Sequence, residues 1–520
     1  MAGAGAGRFV MRALISVYDK HGIDAFASGL AQLSVELVSS GGTATFLEEQ
    51  GLEVTRVEDV TGAPEMLGGR VKTLHPAIHA GILARLDLDE DRSTLTEHEI
   101  EPFDLVCVNL YPFTSLAGRI GVDEADIIEM IDVGGPSLLR GAAKNFAHVA
   151  PICRPEQYDP VLAELSNGGL SPETRRALAA EAFAVTAAYD AAIARWFAED
   201  QFFPDQLTLT FRKITDLPYG ENPHQTAAYY EEVGSRKHLL SRVNQLGGRE
   251  LSYNNLADLE AARRIMRELV EMPAAVIVKH ANPCGVATAE TIEHAYARAL
   301  AADPVSAFGC VLMLNRPVEG ELARQIGEHF VEVVFAPEFD DSALEVLGAK
   351  PALRILRDRE RRSDTKNERD YKRVVGGLLV QQRDSDPEIA AGMDIVAGTV
   401  TDEQWADLLF AWRVCKHVSS NAIVLSKDGQ TIGIGAGQMS RVDSVRIAIE
   451  KAQELGHDPV GSVLASDAFF PFADGPQLAL DAGVSVFVQP GGSKRDDEVR
   501  AAVEAAGAAM VFTGKRHFRH

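Results

Sequence analysis

The chain has 520 residues, of which 46% are apolar and 24% charged, and its formal net charge is −24. This acidic balance argues against general binding to nucleic acids or membranes, and no apolar run approaches the roughly 18 residues that span a bilayer. The five cysteines form no C-x-x-C pair, so neither a disulfide framework nor a thiolate zinc site is indicated. The amino terminus lacks the basic and apolar parts of a signal peptide, so we expect a cytoplasmic protein.

The length predicts roughly two to four domains. Residues 12–153 alternate β-rich runs with helical patterns such as Ile23 to Gln32, which indicates a mostly parallel sheet covered by helices. The runs that predict strands are residues 13–17, 35–39, 105–110 and 148–153. A long helical pattern follows at 171–200, with Ser171 as its N-cap and proline at its first position.

The segment Glu199 to Leu217 is the best candidate for a domain boundary, and it predicts one domain at 1–203 and another at 204–520. Past it the chain again alternates strands and helices. The charged stretch from Arg354 to Arg373 predicts a solvated surface excursion. The dipeptide Lys-His occurs twice, at Lys279 and at Lys416, which hints at an internal duplication without establishing one.

Polar and basic side chains gather at the predicted strand ends of the first domain. In an open parallel sheet these turns meet at the carboxyl edge, where ligands bind. Hydroxyls, Arg and Lys beside glycine-rich turns suit a phosphate, whereas a plain strand–turn–helix with a Thr cap is the ordinary alternative for any single turn. The residues at these turns are Ser16, Lys20, Ser40, Gly42, Thr43, Arg70, Lys72, Thr73, Asn109 and Tyr111.

The segment I-D-V-G-G-P-S-L-L-R-G-A-A-K-N adds Asp132 and Gly134 to this edge, with Lys144 three turns into a helix. An Asp before glycines is usually only a cap, and a helical Lys is usually solvated. Beside Tyr111 and Lys72, however, Asp132 would complete an acid–base set with hydrogen-bond donors for a carbonyl oxygen.

The stretch V-I-V-K-H-A-N-P-C-G ends an apolar strand on two adjacent basic residues, Lys279 and His280. Adjacent side chains of a strand point to opposite faces, so both can serve one site only if the strand ends there. We expect Asn282-Pro283 and Gly285 to provide that break. Histidine carries protons near neutral pH, and a neighbouring Lys can stabilise an oxyanion. The structural alternative is that both residues merely cap a turn.

Further loop motifs surround this element: L-P-Y-G-E-N-P-H-Q-T, S-A-F-G, S-S-N, I-G-I-G-A-G-Q-M-S-R, S-D-A-F-F-P-F and Q-P-G-G-S. Two consecutive Phe beside Pro in a loop suit a flat aromatic ligand, although a plug that anchors the loop remains an alternative. Together with S-G-G-T, G-R-V-K-T-L-H-P and N-L-Y-P-F, these motifs resemble the bifunctional purine enzymes that combine IMP cyclohydrolase with AICAR transformylase.

The resemblance implies an α/β protein with an amino-terminal methylglyoxal-synthase-like domain and a carboxy-terminal, duplicated cytidine-deaminase-like transformylase domain. It implies that ring closure uses Lys72, Tyr111, Asp132 and Lys144. It implies that the nucleotide is bound by Ser16, Lys20, Ser40, Gly42, Thr43, Arg70, Thr73, Asn109 and Gly134.

For formyl transfer the resemblance implies that His280 moves the proton of the AICAR amino group, Lys279 assists at the formyl group of 10-formyltetrahydrofolate, and Asn421 orients the reacting groups. The residues implied to line the nucleotide and folate sites are Tyr219, Gly309, Glu332, Arg441, Phe469, Asp474 and Arg516. A homodimer with transformylase sites shared between subunits is also implied. Pro218 stands where the family usually has Arg, which puts one contact in doubt, and Cys310 stands where Gly is common.

The deaminase-like fold prompts a check for zinc, because zinc deaminases carry H-x-E and P-C-x-x-C. The sequence has neither motif, so we expect no metal in the chemistry. The predicted activity is formylation of AICAR followed by closure of formyl-AICAR to IMP. Two alternatives are a methylglyoxal-synthase-like lyase fused to a deaminase-like hydrolase, which metal analysis would reveal, and a non-catalytic nucleotide or folate sensor, which would show no turnover.

Overall fold

A computed structural model of the chain describes residues 10–64, 66–119, 121–233, 239–241, 243–359, 368–385 and 387–520. These residues form two compact units. The amino-terminal unit runs to Arg212 and includes residues 231–233, and the carboxy-terminal unit comprises Lys213–Tyr230 and the described residues from 239 onward.

The amino-terminal unit is built on a five-stranded, wholly parallel sheet in the order β3-β2-β1-β4-β5. Its strands are β1 (Arg12–Val17), β2 (Glu36–Ser39), β3 (Thr55–Arg56), β4 (Leu105–Asn109) and β5 (Ala150–Ile152). The predicted parallel sheet is therefore confirmed, and β3 is an additional short strand.

Helices cover both faces of this sheet, because alternate strand residues belong to two different apolar cores. The helices are α1 (Ile23–Gln32), α2 (Gly41–Glu49), α3 (Val57–Thr61), α4 (Pro76–Leu83), α5 (Asp89–Glu97), α6 (Phe113–Ala117), α7 (Glu124–Glu129), α8 (Gly134–Lys144), α9 (Tyr158–Ser166) and α10 (Pro172–Phe197). Short 3-10 turns lie at Leu67–Gly69 and Pro155–Gln157.

Helix α10 begins as predicted, because the Ser171 hydroxyl accepts a hydrogen bond from the Thr174 N–H at 3.1 Å and Pro172 occupies the first position. Among the described residues it is the one helix whose length and composition would allow it to cross a membrane. Leu178, Ala179 and Ala182 on one face are buried in the cores of the unit, as expected for a core helix of a globular protein.

The carboxy-terminal unit contains a twelve-stranded mixed sheet. Its strands are β8 (Asn244–Gly247), β9 (Ala274–Lys279), β10 (Asn282–Thr288), β11 (Cys310–Leu314), β12 (Val331–Ala336), β13 (Arg354–Arg357), β16 (Asp394–Ala397), β17 (Ile423–Lys427), β18 (Gln430–Gly435), β19 (Val463–Ser466), β20 (Val486–Gln489) and β21 (Ala509–Phe512). Separate two-stranded sheets are formed by β6 (Phe211–Leu217) with β7 (Ala227–Glu232), and by β14 (Arg369–Val374) with β15 (Gly377–Gln382).

This sheet consists of two halves with the same topology. The order β8-β13-β12-β11-β9-β10 in the first half corresponds strand for strand to β16-β21-β20-β19-β17-β18 in the second, and β10 pairs with β18 where the halves meet. The helices follow the same plan: α11 (Tyr253–Arg267), α12 (Ile292–Ala302), α13 (Gly320–Gly327) and α14 (Asp341–Gly348), then α15 (Asp402–Cys415), α16 (Arg441–Glu454), α17 (Asp474–Asp481) and α18 (Asp496–Ala505). The unit is thus an internal duplication.

The two Lys-His dipeptides do not occupy equivalent positions in the two halves. Lys416 and His417 follow helix α15, whereas Lys279 ends strand β9. The residue equivalent to Lys279 in the second half is Lys427, the last residue of β17. The two matches of the dipeptide in the sequence are therefore unrelated in the fold.

Two further expectations need correction. The chain turns at His280 and Ala281 rather than at Asn282-Pro283, because β10 already begins at Asn282. In addition, the stretch from Arg354 to Arg373 was predicted to be a solvated surface excursion, and this is wrong for its first residues. Residues 354–357 form strand β13 inside the sheet with Ile355 and Leu356 buried, and residues 360–367 lie outside the described residues.

Candidate functional site

A cavity of about 810 Å³ opens at the carboxyl edge of the parallel sheet. The strand ends and the α8 amino terminus meet there, as expected for an open α/β sheet. The predicted residues that line it are Ser16, Lys20, Ser40, Gly42, Thr43, Arg70, Lys72, Thr73, Asn109, Tyr111, Asp132 and Gly134. The structure therefore brings nearly all of the first predicted cluster into one site.

Lys20 and Thr43 form one polar corner of this cavity. The Lys20 ammonium donates to the Thr43 hydroxyl at 3.0 Å and to the Val17 carbonyl, and the same hydroxyl donates to that carbonyl at 2.9 Å. Burial lowers the pKa of Lys20, and the nearby Asp19 charge opposes that shift. A half-buried ammonium beside a hydroxyl suits an anionic ligand such as a phosphate.

Two residues shape the cavity by backbone contacts. Asn109 accepts hydrogen bonds from the Tyr18 and Asp19 N–H groups at 2.6 and 3.0 Å, and so holds the loop after β1. Gly41 has φ of 52°, and a Cβ there would lie 2.6 Å from the Lys72 ammonium. The glycine that this turn requires is thus Gly41, next to the predicted Gly42, whose added Cβ would meet no atom within 4 Å.

Tyr111 and Asp132 are the titratable pair of the site. Burial raises the pKa of Tyr111, the Asp132 charge raises it further, and Lys72 opposes the shift. Burial also raises the pKa of Asp132, although its Oδ1 accepts the Gly135 N–H at 2.7 Å. A half-buried carboxylate, a phenol and an ammonium within one cavity can exchange protons with a ligand and stabilise a developing oxyanion.

Lys144 is not brought to this cavity. It is the last residue of α8, exposed, and ten residues from Gly134 at the cavity, which corresponds to about 15 Å along the helix axis. Arg70 lines the cavity and pairs with Glu129, which also lines it. Sequence reasoning missed Glu129, and it missed Tyr189, whose hydroxyl accepts the Asp132 N–H at 2.8 Å.

In the carboxy-terminal unit, Lys279 and His280 lie at the end of the β9–β10 hairpin. His280 and Ala281 form its two-residue turn with φ of 52° and 61°. Two-residue turns of this hand usually contain Asn, Asp and Gly, and strained residues in this region cluster at functional sites. Asp258 of α11 supports the turn by accepting the Ala281 N–H at 2.6 Å. His280 is exposed at the tip.

Lys279 joins two other predicted residues. Its ammonium donates to the Gly309 carbonyl at 2.6 Å. A Cβ on Gly309, where φ is 69°, would lie 3.0 Å from that ammonium and 3.5 Å from the Glu332 carboxylate. Glu332 also accepts from the Asn255 amide at 2.8 Å. Lys279, Gly309 and Glu332 therefore form one group on the Lys279 side of the hairpin.

Asn421 and Arg441 form a second group. Arg441 is buried and donates to the Asn421 side-chain oxygen Oδ1 at 2.7 Å, to the Ser466 hydroxyl at 2.8 Å and to the buried Asp467. The Asn421 amide donates to the Gln438 carbonyl at 2.8 Å. Arg441 thus orients Asn421 from behind, and Asp467, which sequence reasoning missed, compensates its charge.

The remaining predicted residues stand apart from these groups. Tyr219, Phe469, Asp474 and Arg516 are exposed, and hydrogen bonds do not connect them to Lys279 or Asn421 within the described part of the chain. Arg516 lies over the Phe518 ring at 4.5 Å. Over the same described residues, no group of three or more His, Cys, Asp or Glu side chains is arranged to hold a metal ion.

Comparison with known proteins extends over nearly the whole chain. The family model described as AICARFT/IMPCHase bienzyme matches residues 142–451, and the MGS-like domain matches residues 22–137. Two proteins named bifunctional purine biosynthesis protein PurH are similar to the chain. The one from Halalkalibacterium halodurans is 48% identical and covers 98% of this chain and 99% of its own. The one from Rhodopirellula baltica is 49% identical with the same coverage.

A solved structure described as the crystal structure of ForH is 44% identical over 36% of this chain and 99% of its own, with a TM-score of 0.34. The full-length relatives and the matching family models decide the identity. The chain belongs to the AICARFT/IMPCHase bienzyme family and is a bifunctional enzyme of purine biosynthesis, an AICAR formyltransferase and IMP cyclohydrolase.

Proposed function

We propose that the two reactions are divided between the two units, with ring closure in the amino-terminal cavity and formyl transfer at the Lys279–His280 hairpin. The observation that carries the proposal is the cavity itself, which gathers three of the four residues that the resemblance assigns to ring closure, Lys72, Tyr111 and Asp132. We place the functional boundary at the predicted division between 1–203 and 204–520.

In ring closure, the carboxamide nitrogen of formyl-AICAR attacks the formyl carbon, and a water molecule is then lost. We assign proton removal from the carboxamide nitrogen to Asp132. Tyr111 and Lys72 donate to the formyl oxygen as it gains charge. The nucleotide phosphate is assigned to the basic and hydroxyl corner, in particular Lys20 and Thr43, with Ser16, Ser40, Arg70, Thr73, Asn109 and Gly134 as further substrate contacts.

The formyltransferase uses a folate-type formyl donor, and we assign it as 10-formyltetrahydrofolate. The AICAR amino nitrogen attacks the formyl carbon, and the carbon–N10 bond breaks. His280 takes the proton from the amino nitrogen and returns it to N10, so that the step needs no metal. Lys279 stabilises the oxyanion, and Asn421 orients the reacting groups.

The remaining predicted residues are assigned to the substrates of formyl transfer: Gly309 and Glu332 beside Lys279, and the exposed Tyr219, Phe469, Asp474 and Arg516. Arg441 acts through Asn421. We further propose a cytoplasmic homodimer in which this site takes residues from both subunits. In support, hydrogen bonds between described residues of one subunit do not connect Tyr219, Phe469, Asp474 or Arg516 to Lys279 or Asn421. Dilution should then abolish formyl transfer before ring closure, and a fully active monomer would contradict the shared site.

Two lysines of the amino-terminal unit test the assignment of ring closure. Lys72→Ala should lower the rate of IMP formation from formyl-AICAR by roughly 10²–10³-fold, the usual loss for a donor to an oxyanion. Lys144→Ala is the matched control, and its position far along α8 predicts a much smaller loss. Formyl transfer to AICAR should survive both changes. Loss of both activities in folded Lys72→Ala protein would overturn the division between units.

A further inference from the structure

A cluster of charged side chains holds the carboxy-terminal segment 516–520, and we call it the tail cluster. Its members come from the end of α11, the segment before β16, the end of α15 and the tail itself. They are Glu268, Asp384, Glu388, Lys416, His417 and His517. All lie within the carboxy-terminal unit, and His517 is 3% exposed.

His517 is the only member contributed by the tail. Its Nδ1 lies 2.5 Å from Asp384 Oδ2, and its Nε2 lies 3.3 Å from Glu388 Oε1. Its ring stands 4.9 Å from that of Trp412, whose indole N–H donates to Glu388 at 2.9 Å. Nδ1 and Asp384 form a hydrogen bond, whereas Nε2 faces Glu388 Oε1 at ion-pair distance without hydrogen-bond geometry. With a carboxylate at each ring nitrogen, the surroundings favour the imidazolium over the neutral ring.

The charges that surround His517 agree with this protonation state. The Lys416 ammonium faces three carboxylates, Glu268, Asp384 and Glu388. Two of them, Asp384 and Glu388, also face the His517 ring. Burial lowers the pKa of His417, so this second histidine adds no charge. Without a charge on His517, a single ammonium would oppose three carboxylates, two of them largely buried, at a cost that proteins avoid.

Two arginines complete the surroundings of the cluster. Arg413 of α15 donates to the Glu388 carbonyl at 3.1 and 3.2 Å, and so fixes the backbone that presents this carboxylate. Arg519 of the tail donates to the His417 carbonyl. Both guanidinium groups act on backbone oxygens, so neither replaces His517 as the partner of the two carboxylates.

The tail that His517 anchors also contacts the elements of formyl transfer. Arg519 donates to the carbonyl of Ala281 at 3.3 Å, beside His280 in the hairpin turn. The Arg519 carbonyl accepts the Ser420 N–H at 2.9 Å, next to Asn421. Arg516, exposed one residue before His517, is among the residues assigned to the substrates of formyl transfer. The position of His517 therefore sets the position of three elements of the site.

We propose that His517 is a positioning residue for formyl transfer, whose imidazolium bridges Asp384 and Glu388 and locks the tail onto the catalytic hairpin. Loss of its proton breaks the bridge and frees the tail. The inference rests on the proposed placement of formyl transfer at His280. It assigns to the tail a proton-dependent lock that is independent of the chemistry of His280 itself.

The direction of the pH effect follows from the environment of the ring. Burial alone lowers the pKa of His517, but the neighbouring carboxylates of Asp384 and Glu388 outweigh it, and the pKa of His517 is raised above its usual 6.5. A histidine with a raised pKa contributes its full stabilisation below 6.5 and loses it as the pH rises through the raised value. The lock is therefore closed below pH 6.5 and opens as the pH rises through the raised pKa of His517.

The first experiment measures the lock without using activity. In protein labelled with ¹³C-histidine, the His517 resonance, assigned by its loss in His517→Gln, should titrate above 6.5. Carboxypeptidase should remove tail residues from the wild type slowly at pH 6.5 and faster at alkaline pH, and from His517→Gln quickly at both. A His517 that titrates below 6.5, or an equally protected tail in His517→Gln, would overturn the proposal.

The second experiment follows formyl transfer against pH. The wild type should lose AICAR affinity on the alkaline side. His517→Gln should show a KM for AICAR raised by about 10-fold at all pH values, the size expected for a lost charged contact, with no alkaline limb. His517→Arg, which keeps the charge, should retain transfer at alkaline pH. His294→Gln, an exposed histidine on α12, is the matched control and should follow the wild type.

Asp384→Asn provides a milder variant, since this side chain is half-exposed. Removing one of the two charges should move the alkaline limb to lower pH by roughly 1–3 units. Ring closure of formyl-AICAR in the same proteins reports their folding. If the alkaline decline of formyl transfer in Asp384→Asn occurs at the same pH as in the wild type, the proposed role of His517 is contradicted. Suppose that the tail shows the expected dependence on pH and on His517, but His280→Gln still transfers formyl groups. That result would contradict the placement of formyl transfer at His280 and would leave the proposal for His517 intact.

Discussion

The hairpins at the centre of the two repeats have the same backbone and different tips. In the second half the turn between β17 and β18 is Asp428-Gly429, with φ of 54° and 70°. Asp-Gly is among the preferred pairs for such a turn. In the first half the equivalent turn is His280-Ala281, which puts an alanine into the left-handed conformation that Gly429 has in the second half. The duplicated fold thus shows what the turn would contain without a special task.

The comparison also separates repeat architecture from function. Asp407 accepts the Gly429 N–H at 2.6 Å, as Asp258 accepts the Ala281 N–H. Lys427 donates to the Val460 carbonyl at 2.7 Å, as Lys279 does to the Gly309 carbonyl. These contacts are common to both halves, so they alone do not indicate catalysis.

What is peculiar to the first half is the turn. Left-handed residues other than glycine cost of the order of 1–3 kcal/mol each and persist where the surroundings hold them in place. Here Asp258 holds the Ala281 N–H and Arg519 holds its carbonyl. The residues at this tip, and not the contacts of the lysine beside it, distinguish the first hairpin from the second.

The largest effect is expected from His280→Gln. If the histidine only occupies a turn, glutamine should be tolerated. If it moves a proton, formyl transfer should fall by roughly 10²–10⁴-fold, mainly in kcat. Asp428→Asn at the equivalent tip is the matched control and should leave transfer unchanged. Near-normal transfer by His280→Gln, with ring closure intact in both proteins, would remove the functional difference between the hairpins.

The pair Lys279→Met and Lys427→Met separates the shared contact from any chemistry. Each change removes a hydrogen bond to a carbonyl, so both proteins should lose similar stability, about 1 kcal/mol or more in denaturant unfolding. Formyl transfer should fall by roughly 10²-fold in Lys279→Met alone, as expected for a donor to an oxyanion. Equal rates of formyl transfer in the two variants would mean that Lys279, like Lys427, has only a structural role.

Gly429→Ala gives the turn between β17 and β18 an alanine at the position equivalent to Ala281 in the first hairpin. The left-handed φ of this residue costs an alanine about 1–2 kcal/mol, and its Cβ would lie 2.8 Å from the Thr288 hydroxyl oxygen. The free energy of unfolding should therefore fall by about that amount, with both activities retained. A protein as stable as the wild type would show that the second turn is as well supported as the first.

Ala281→Gly makes the reverse change and has the smallest expected effect. Relief of the left-handed strain is partly offset by the greater freedom of glycine in the unfolded chain. Stability should rise by about 0.5–1 kcal/mol, measured by thermal unfolding. Formyl transfer should stay near normal, because the backbone groups bound by Asp258 and Arg519 are kept. A loss of stability would indicate that Ala281 is not strained.

The first site could be predicted because local rules govern it. Ser16, Thr43 and Asn109 follow strands of one parallel sheet, and the carboxyl ends of such strands meet by geometry. Lys144 does not lie at this edge, because it is ten residues along α8 from Gly134 and the helix runs away from the cavity. Its assignment came from resemblance, and the geometry does not support it.

The second site was harder to predict because contacts across long sequence separations build it. The turn was expected at Asn282-Pro283, where the residues favour one, and the structure places it at His280, where support from Asp258 and Arg519 overrides local preference. The partnership of Arg441 with Asp467 leaves no periodic signal in the sequence. Arg441 was expected to touch ligand, and the structure shows that it is buried and donates to the side chain of Asn421.

The junction between the two halves of the twelve-stranded sheet has a consequence for exchange with deuterium. β10 and β18 share a single register pair, Ala287 with Gln430, whereas β17 and β18 share five. Backbone amides open in cooperative groups that follow the density of their contacts. Amides of the two halves should therefore exchange as two blocks, each one repeat, instead of in a gradient from the outer strands inward.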